Sequence, residues 1–187
     1  SQGRPEQIAG TSTITLTPQA KAYNNMGVPG AKSFHLLLPG YGNPAGLALG
    51  LANPYFVRHA TTSTATVLGD AMTKNPTFFT NWIGSNDVLA YATSGGTMPD
   101  NPLTTTVDES LTPAADHNQT GIVNPAAYGF NDITNSGVFN NVYTNIINTL
   151  TINGAKGVVC TIPSVTSIPY FTTVPVKVLP ADATSGN

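Results

Sequence analysis

Apolar residues recur at helical spacing along two stretches of the chain. Val138, Val142, Ile146 and Leu150 fall four residues apart, which predicts an amphipathic helix over about Val138 to Leu150. Asn153-Gly154 supplies a C-terminal stop, and Lys156 to Ile162 is a near-continuous apolar run of the kind shown by a buried parallel strand. In the second stretch, Val67, Leu68, Ala71 and Met72 share one face of a helix at about Ser63 to Lys74. Asn75-Pro76 breaks it, a buried strand Thr77–Ile83 follows, and a new helix begins near Asp87. Upstream lie a polar β-like stretch, Thr11 to Pro18, a Gly/Pro-rich turn from Asn24 to Gly30, and a short helix Ala31 to Leu38 ended by Pro39-Gly40. Helix, Asn-Gly, then buried strand is the order of an α/β domain with a parallel sheet. Periodicity fades between Thr93 and Gly137, so about 97–137 reads as a surface insertion. It is either a lid over the Gly84 turn or an ordered excursion without a role.

Composition narrows the class. The 187 residues suit one domain, 1–187, and 40% hydrophobic content suits a folded one. Only 9% are charged, against roughly 25% in a typical soluble domain. Thr, Asn, Ser and Gly form the surface instead, which fits an exported protein or a surface packed against a neighbour. The net charge of −2 leaves no basic footprint for nucleic acid. The single cysteine, Cys160, excludes an internal disulfide framework and any thiolate metal cluster, and its place in the run Gly157 to Ile162 predicts a buried core residue. No run approaches the roughly 18 apolar residues of a membrane span. The start, Ser1 to Pro5, is polar and is no signal peptide, so an exported form has lost its leader. Both ends predict a fragment or a processed form. Asn118-Gln119-Thr120 matches a glycosylation sequon where the source modifies such sites.

In open parallel sheets, ligands bind outside the carboxyl ends of the strands. Two sequences reach such positions. Asn25 to Ala31 has glycines that let the backbone approach a ligand ahead of a helix N-terminus. Gly84-Ser85-Asn86-Asp87 follows the strand within the segment Pro76 to Tyr91. The Asn86 amide can donate to a developing oxyanion, Gly30 can add a backbone N–H, and Asp87 can cap the helix or orient Asn86. Asn and Asp after a strand are also ordinary helix caps.

The runs Asn24 to Asn43, Asn53 to Ala60, Ala65 to Met72, Asn75 to Gly96 and Asn153 to Pro175 resemble the SGNH (GDSL-like) hydrolases of Bacteroidetes, often described as lipases or acylhydrolases. The resemblance implies a three-layer α/β/α, flavodoxin-like fold with a parallel sheet, and ester hydrolysis by a serine nucleophile. Gly30 matches that family's second-block glycine and Asn86 its third-block asparagine, both oxyanion-hole donors; Gly84 and Asp87 complete the third block. The family's Gly-Asp/Asn-Ser-Leu nucleophile motif and its terminal Asp-x-x-His are absent from the chain. The resemblance therefore implies the middle of an exported ester hydrolase, extracellular or cell-surface, an outer-membrane lipoprotein in longer form. It would be nearly inactive alone.

The remaining candidates are weaker. His35 lies in the apolar helix after Gly30, His59 reads as peripheral, and Asp116-His117 reads as a solvated loop pair. Ser85 lacks an adjacent base. Three scattered histidines without paired carboxylates give no metal site, and nothing implies a cofactor. The partners expected are an ester substrate (a lipid or acylated carbohydrate), and a missing fragment or a second copy, because a sheet without its first strand exposes an apolar edge. The alternatives are a structural or self-assembling extracellular protein on the same scaffold, and a small-molecule binding module at the Gly30/Gly84 edge.

Overall fold

The computed structural model describes residues 19–98 and 112–172. Short polar side chains set the helix starts. Asn53 Oδ1 accepts from Tyr55 N–H ahead of α1 (Pro54–Val57), and the Thr66 hydroxyl accepts from Gly69 N–H at α2 (Val67–Met72). β1 (Phe78–Asn81) and α3 (Asn86–Thr93) follow. Asp116 caps α4 (His117–Thr120), and Asn135 Oδ1 accepts from the N–H groups of Gly137 and Val138 at the head of α5 (Ser136–Thr151). β2 (Lys156–Val159) and α6 (Pro169–Thr172) complete the order. Single 3₁₀ turns cover Ser33–Leu37, Pro44–Leu49, Pro125–Ala127 and Val165–Ser167.

Each strand is entered through a left-handed residue that lets the chain reverse off its helix. Asn75 (φ 47°) does this between α2 and β1, and Gly154 (φ 83°) between α5 and β2. The strands pair in parallel, Phe78 opposite Lys156 and Asn81 opposite Val159, so the fold is mixed α/β, with a two-stranded parallel sheet among the described residues. Thr77 and Asn81 carbonyls accept from Lys156 and Cys160 N–H groups at 3.0 and 2.9 Å. Because backbone groups alternate in direction along a strand, those of Phe78, Thr80 and Trp82 point to the other edge of β1.

One sheet face is covered. Phe79 and Ile83 pack on Leu68, Ile146 and Leu150 from α2 and α5. A second cluster gathers Ala31, Tyr41, Ala60 and Val67 around Phe56, with Ile83 and Leu36 touching both. The opposite face carries Phe78, Trp82 and Val158, all at least half exposed. That corrects two sequence expectations. The strand Thr77–Ile83 is not buried throughout, and the run Lys156 to Ile162 lies largely exposed, with β2 open along its whole length. Cys160 is correspondingly only half-buried. A continuous apolar run reports two covered faces only when two layers exist to cover them.

The short helix predicted at Ala31 to Leu38 is a 3₁₀ turn, and the predicted Ser63 to Lys74 helix keeps only its central Val67–Met72. The stretch Thr11 to Pro18 lies outside the described residues, as does 99–111 of the insertion. The rest of the insertion is tied down by short backbone bridges, Thr97 with Pro113 and Asp116 with Ile133. No helix among the described residues is long and apolar enough to cross a membrane.

Candidate functional site

The Gly84 turn closes against the end of the sheet. At φ 123° Gly84 adopts a backbone that L side chains avoid, and an added Cβ would lie 2.6 Å from Ile162 Cδ1. Only glycine fits there. Asn86 then opens α3, and its Nδ2 donates to the Ala31 carbonyl at 3.0 Å, across 55 residues of sequence. That bond takes one of its two amide hydrogens and leaves the other for an incoming acceptor. Gly30, one residue before Ala31, sits at φ 76° on an exposed turn, and no bond among the described residues engages its N–H. The two glycine-bearing turns picked out in the sequence are therefore neighbours.

Asp87 corrects the capping expectation. Its carboxylate reaches across to Ser33, accepting from the backbone N–H and from the hydroxyl, each at 2.8 Å. The Asn86–Ala31 and Asp87–Ser33 bonds together clamp the two turns. Burial raises the Asp87 pKa, although the two Ser33 donors and the nearby Lys32 charge oppose it. Burial likewise lowers the Lys32 pKa against the attraction of Asp87 and Asp132.

Behind this clamp lies a polar centre. Lys32, 4% exposed, donates from Nζ to the Asp132 carbonyl oxygen. The Asp132 carboxylate meets His117 Nε2 at 2.8 Å and accepts from the N–H groups of Ala115 and Gly129 at 2.7 and 2.6 Å. Burial alone would raise this carboxyl, but those donors outweigh it and hold its pKa below the usual range. His117 Nδ1 meets the Thr120 hydroxyl at 2.9 Å, and the Tyr128 ring stacks on the imidazole at 3.9 Å. The expectation of a solvated Asp116-His117 pair is thus overturned. His117 is 2% exposed and pairs with Asp132, while Asp116 caps α4. A sealed imidazole cannot take a proton from a substrate, so this centre holds the insertion to the core. Thr134 N–H donates to the Asp87 carbonyl and completes the link.

Lys32, Ser33 and Asp132 escaped sequence reasoning. Ser33 meets Asp87 across 54 residues, Lys32 meets Asp132 across 100, and Asp132 meets His117 across 15, and no local period marks them. The available signal was a lysine placed between apolar Ala31 and Phe34 in a chain with only 7 Lys and Arg.

The other histidines offer no base. His35 stacks on Tyr41 at 4.4 Å and accepts from Lys32 N–H through Nδ1 at 3.0 Å. Burial, aided by the Lys32 charge, lowers its pKa to about 4, so it is neutral near pH 7. His59 packs edge-on against Phe56 and Tyr23, and burial lowers its pKa too. Among the described residues no group of His, Cys, Asp and Glu could hold a metal ion.

Asn86 also lines a cavity of about 950 Å³. Its lining includes the runs 23–28 and 74–83 together with Leu68, Ala71, Ile146 and Leu150. Comparison of the chain with protein-family models, with curated proteins and with solved structures returns no match.

Proposed function

We propose that this chain is the oxyanion-hole portion of an exported SGNH (GDSL-like) ester hydrolase, built on a three-layer α/β/α flavodoxin-like scaffold. The reading rests on the resemblance and on one contact above all, the 3.0 Å bond from Asn86 to Ala31 that brings the third-block turn beside the second-block glycine. In this reading Asn86 Nδ2 and Gly30 N–H receive the oxyanion formed when a serine attacks an ester carbonyl, and Gly84 and Asp87 hold the turn in shape. The attacking serine and its base come from outside the described residues. None of the described histidines has a serine hydroxyl within hydrogen-bond reach.

The test combines intact mass of the natural material with hydrolysis of a short-chain aryl ester. The expected result is a longer chain that turns the ester over, with Asn86→Ala lowering kcat by roughly 10²–10³ and leaving KM nearly unchanged. Natural material of the mass of these 187 residues with no hydrolysis would overturn the reading, as would an Asn86→Ala variant with normal kcat.

A second reading, a non-catalytic self-assembling extracellular protein, is favoured by the uncovered sheet face with Phe78 (60% exposed) and Trp82 (72% exposed). Inert, self-associating natural material would select it.

A further inference from the structure

We propose that Asn53 is a positioning residue for the oxyanion hole, holding the Gly30 peptide in the orientation that presents its N–H. The inference rests on the hydrolase reading and adds a residue to its site.

The turn that carries Gly30 has two accessible forms. Ala31 N–H donates to the Val28 carbonyl at 3.2 Å, closing a β-turn with Pro29 and Gly30 at its centre. Proline fixes φ at about −65°, and Gly30 stands at φ 76°, a combination that defines type II. Type I differs by a flip of the central peptide, the one between Pro29 and Gly30, and glycine tolerates both forms. That peptide takes no part in the turn's own hydrogen bond. Because it is trans, its C=O and N–H point opposite ways, so a flip reverses the direction of the donor. Pro29 and Gly30 are both exposed, so burial does not fix the peptide either.

Asn53 does fix it. Its Nδ2 donates one hydrogen to the Pro29 carbonyl at 2.9 Å and the other to the Tyr41 hydroxyl at 3.1 Å. Its own N–H donates to the Tyr41 carbonyl at 2.9 Å, and Tyr41 is 5% exposed, so the Asn53 amide is anchored to the core. In the type I form the Pro29 carbonyl turns away from this donor and the bond is lost. The same bond polarises the peptide and makes the Gly30 N–H a stronger donor. Asn53 Oδ1 caps α1 through Tyr55 N–H at 2.9 Å. Serine or aspartate caps a helix equally well, so the cap alone does not call for asparagine. On the other flank of Gly30, Asn86 holds the Ala31 carbonyl.

The test compares wild type with Asn53→Ser and Asn53→Asp, which keep a cap acceptor and lose the donor to Pro29. In the longer natural enzyme both variants are expected to lower kcat by roughly ten- to a hundredfold with KM nearly unchanged. In the 187-residue chain the NOE between Pro29 Hα and the Gly30 amide proton, strong in type II and weak in type I, is expected to weaken in both. Normal kcat in both variants, beside an Asn86→Ala variant that has lost activity, overturns this proposal and leaves the hydrolase reading standing. A fall in kcat with that NOE unchanged, or loss of the fold in both variants, gives Asn53 a merely structural role and also overturns it. No hydrolysis by wild type overturns the hydrolase reading, and the role of Asn53 in it.

Discussion

Asp87 sits near the start of α3 with its carboxylate turned back onto Ser33, 3% exposed and close to the buried Lys32 cation. Removing that carboxylate orphans a buried N–H and a buried hydroxyl and takes a counter-charge from Lys32. Asp87→Ala is therefore expected to lower unfolding free energy by roughly 3–5 kcal/mol, with Asp87→Asn losing less because its amide oxygen keeps one Ser33 bond. Urea denaturation checks this, and a loss below about 1 kcal/mol would mean the clamp is dispensable. His35 gives a pH signature. Its pKa falls from 6.5 unfolded to about 4 folded, so its contribution is complete above about pH 6.5 and is lost as pH drops toward 4. A difference of about 2.5 units corresponds to on the order of 3 kcal/mol. Asp87, with a raised pKa, acts in the opposite sense on acidification. The informative quantity is thus the pH dependence of wild type minus that of His35→Asn, which should vanish between pH 6.5 and 4 if the ring stays unperturbed. At this scale the sequence exposed Asn86, Gly30 and Gly84, because turn chemistry is local. It hid the Asp87–Ser33 and His117–Asp132 pairs, because a hydrogen bond to a distant residue leaves no pattern along the chain.

Among the elements, α5 was the most legible and its burial the most faithful to its period. Val138, Ile146 and Leu150 are buried, while Ile152, just past its end, is 74% exposed. Ile146→Ala is expected to cost roughly 2–5 kcal/mol, and Ile152→Ala within about 0.5 kcal/mol of zero. Comparable losses in thermal or urea unfolding would show that α5 does not seat as described. The Asn-Pro and Asn-Gly stops were also readable, since left-handed backbone has few suitable residues. Strand burial was not readable. Lys156 to Ile162 has the composition of a doubly covered strand, and whether a second layer lies over it depends on the rest of the fold rather than on the strand itself.

For the whole molecule, the described architecture is a two-stranded sheet with helices on one face and apolar side chains on the other. Two-stranded sheets are marginal by themselves, and exposed apolar faces seek cover. Sedimentation at rising protein concentration is expected to show self-association, strengthened by sulfate and little changed by moderate sodium chloride, since few charges are available for screening. A monomer at every concentration in sulfate would contradict this. The same architecture sets an order in time. Lys32 and Asp132 are 100 residues apart, Ser33 and Asp87 are 54 apart, and β1 meets β2 only after the chain between them has come round. Contacts that distant form slowly, because chain entropy must be surrendered before they return any energy. The lysine ammonium and the aspartates are therefore expected to stay hydrated through most of folding and to lose their water in a late step, after α5 has formed. The polar centre acts as a lock closed at the end of assembly, and its strength is expected to appear in the rate of unfolding rather than of folding.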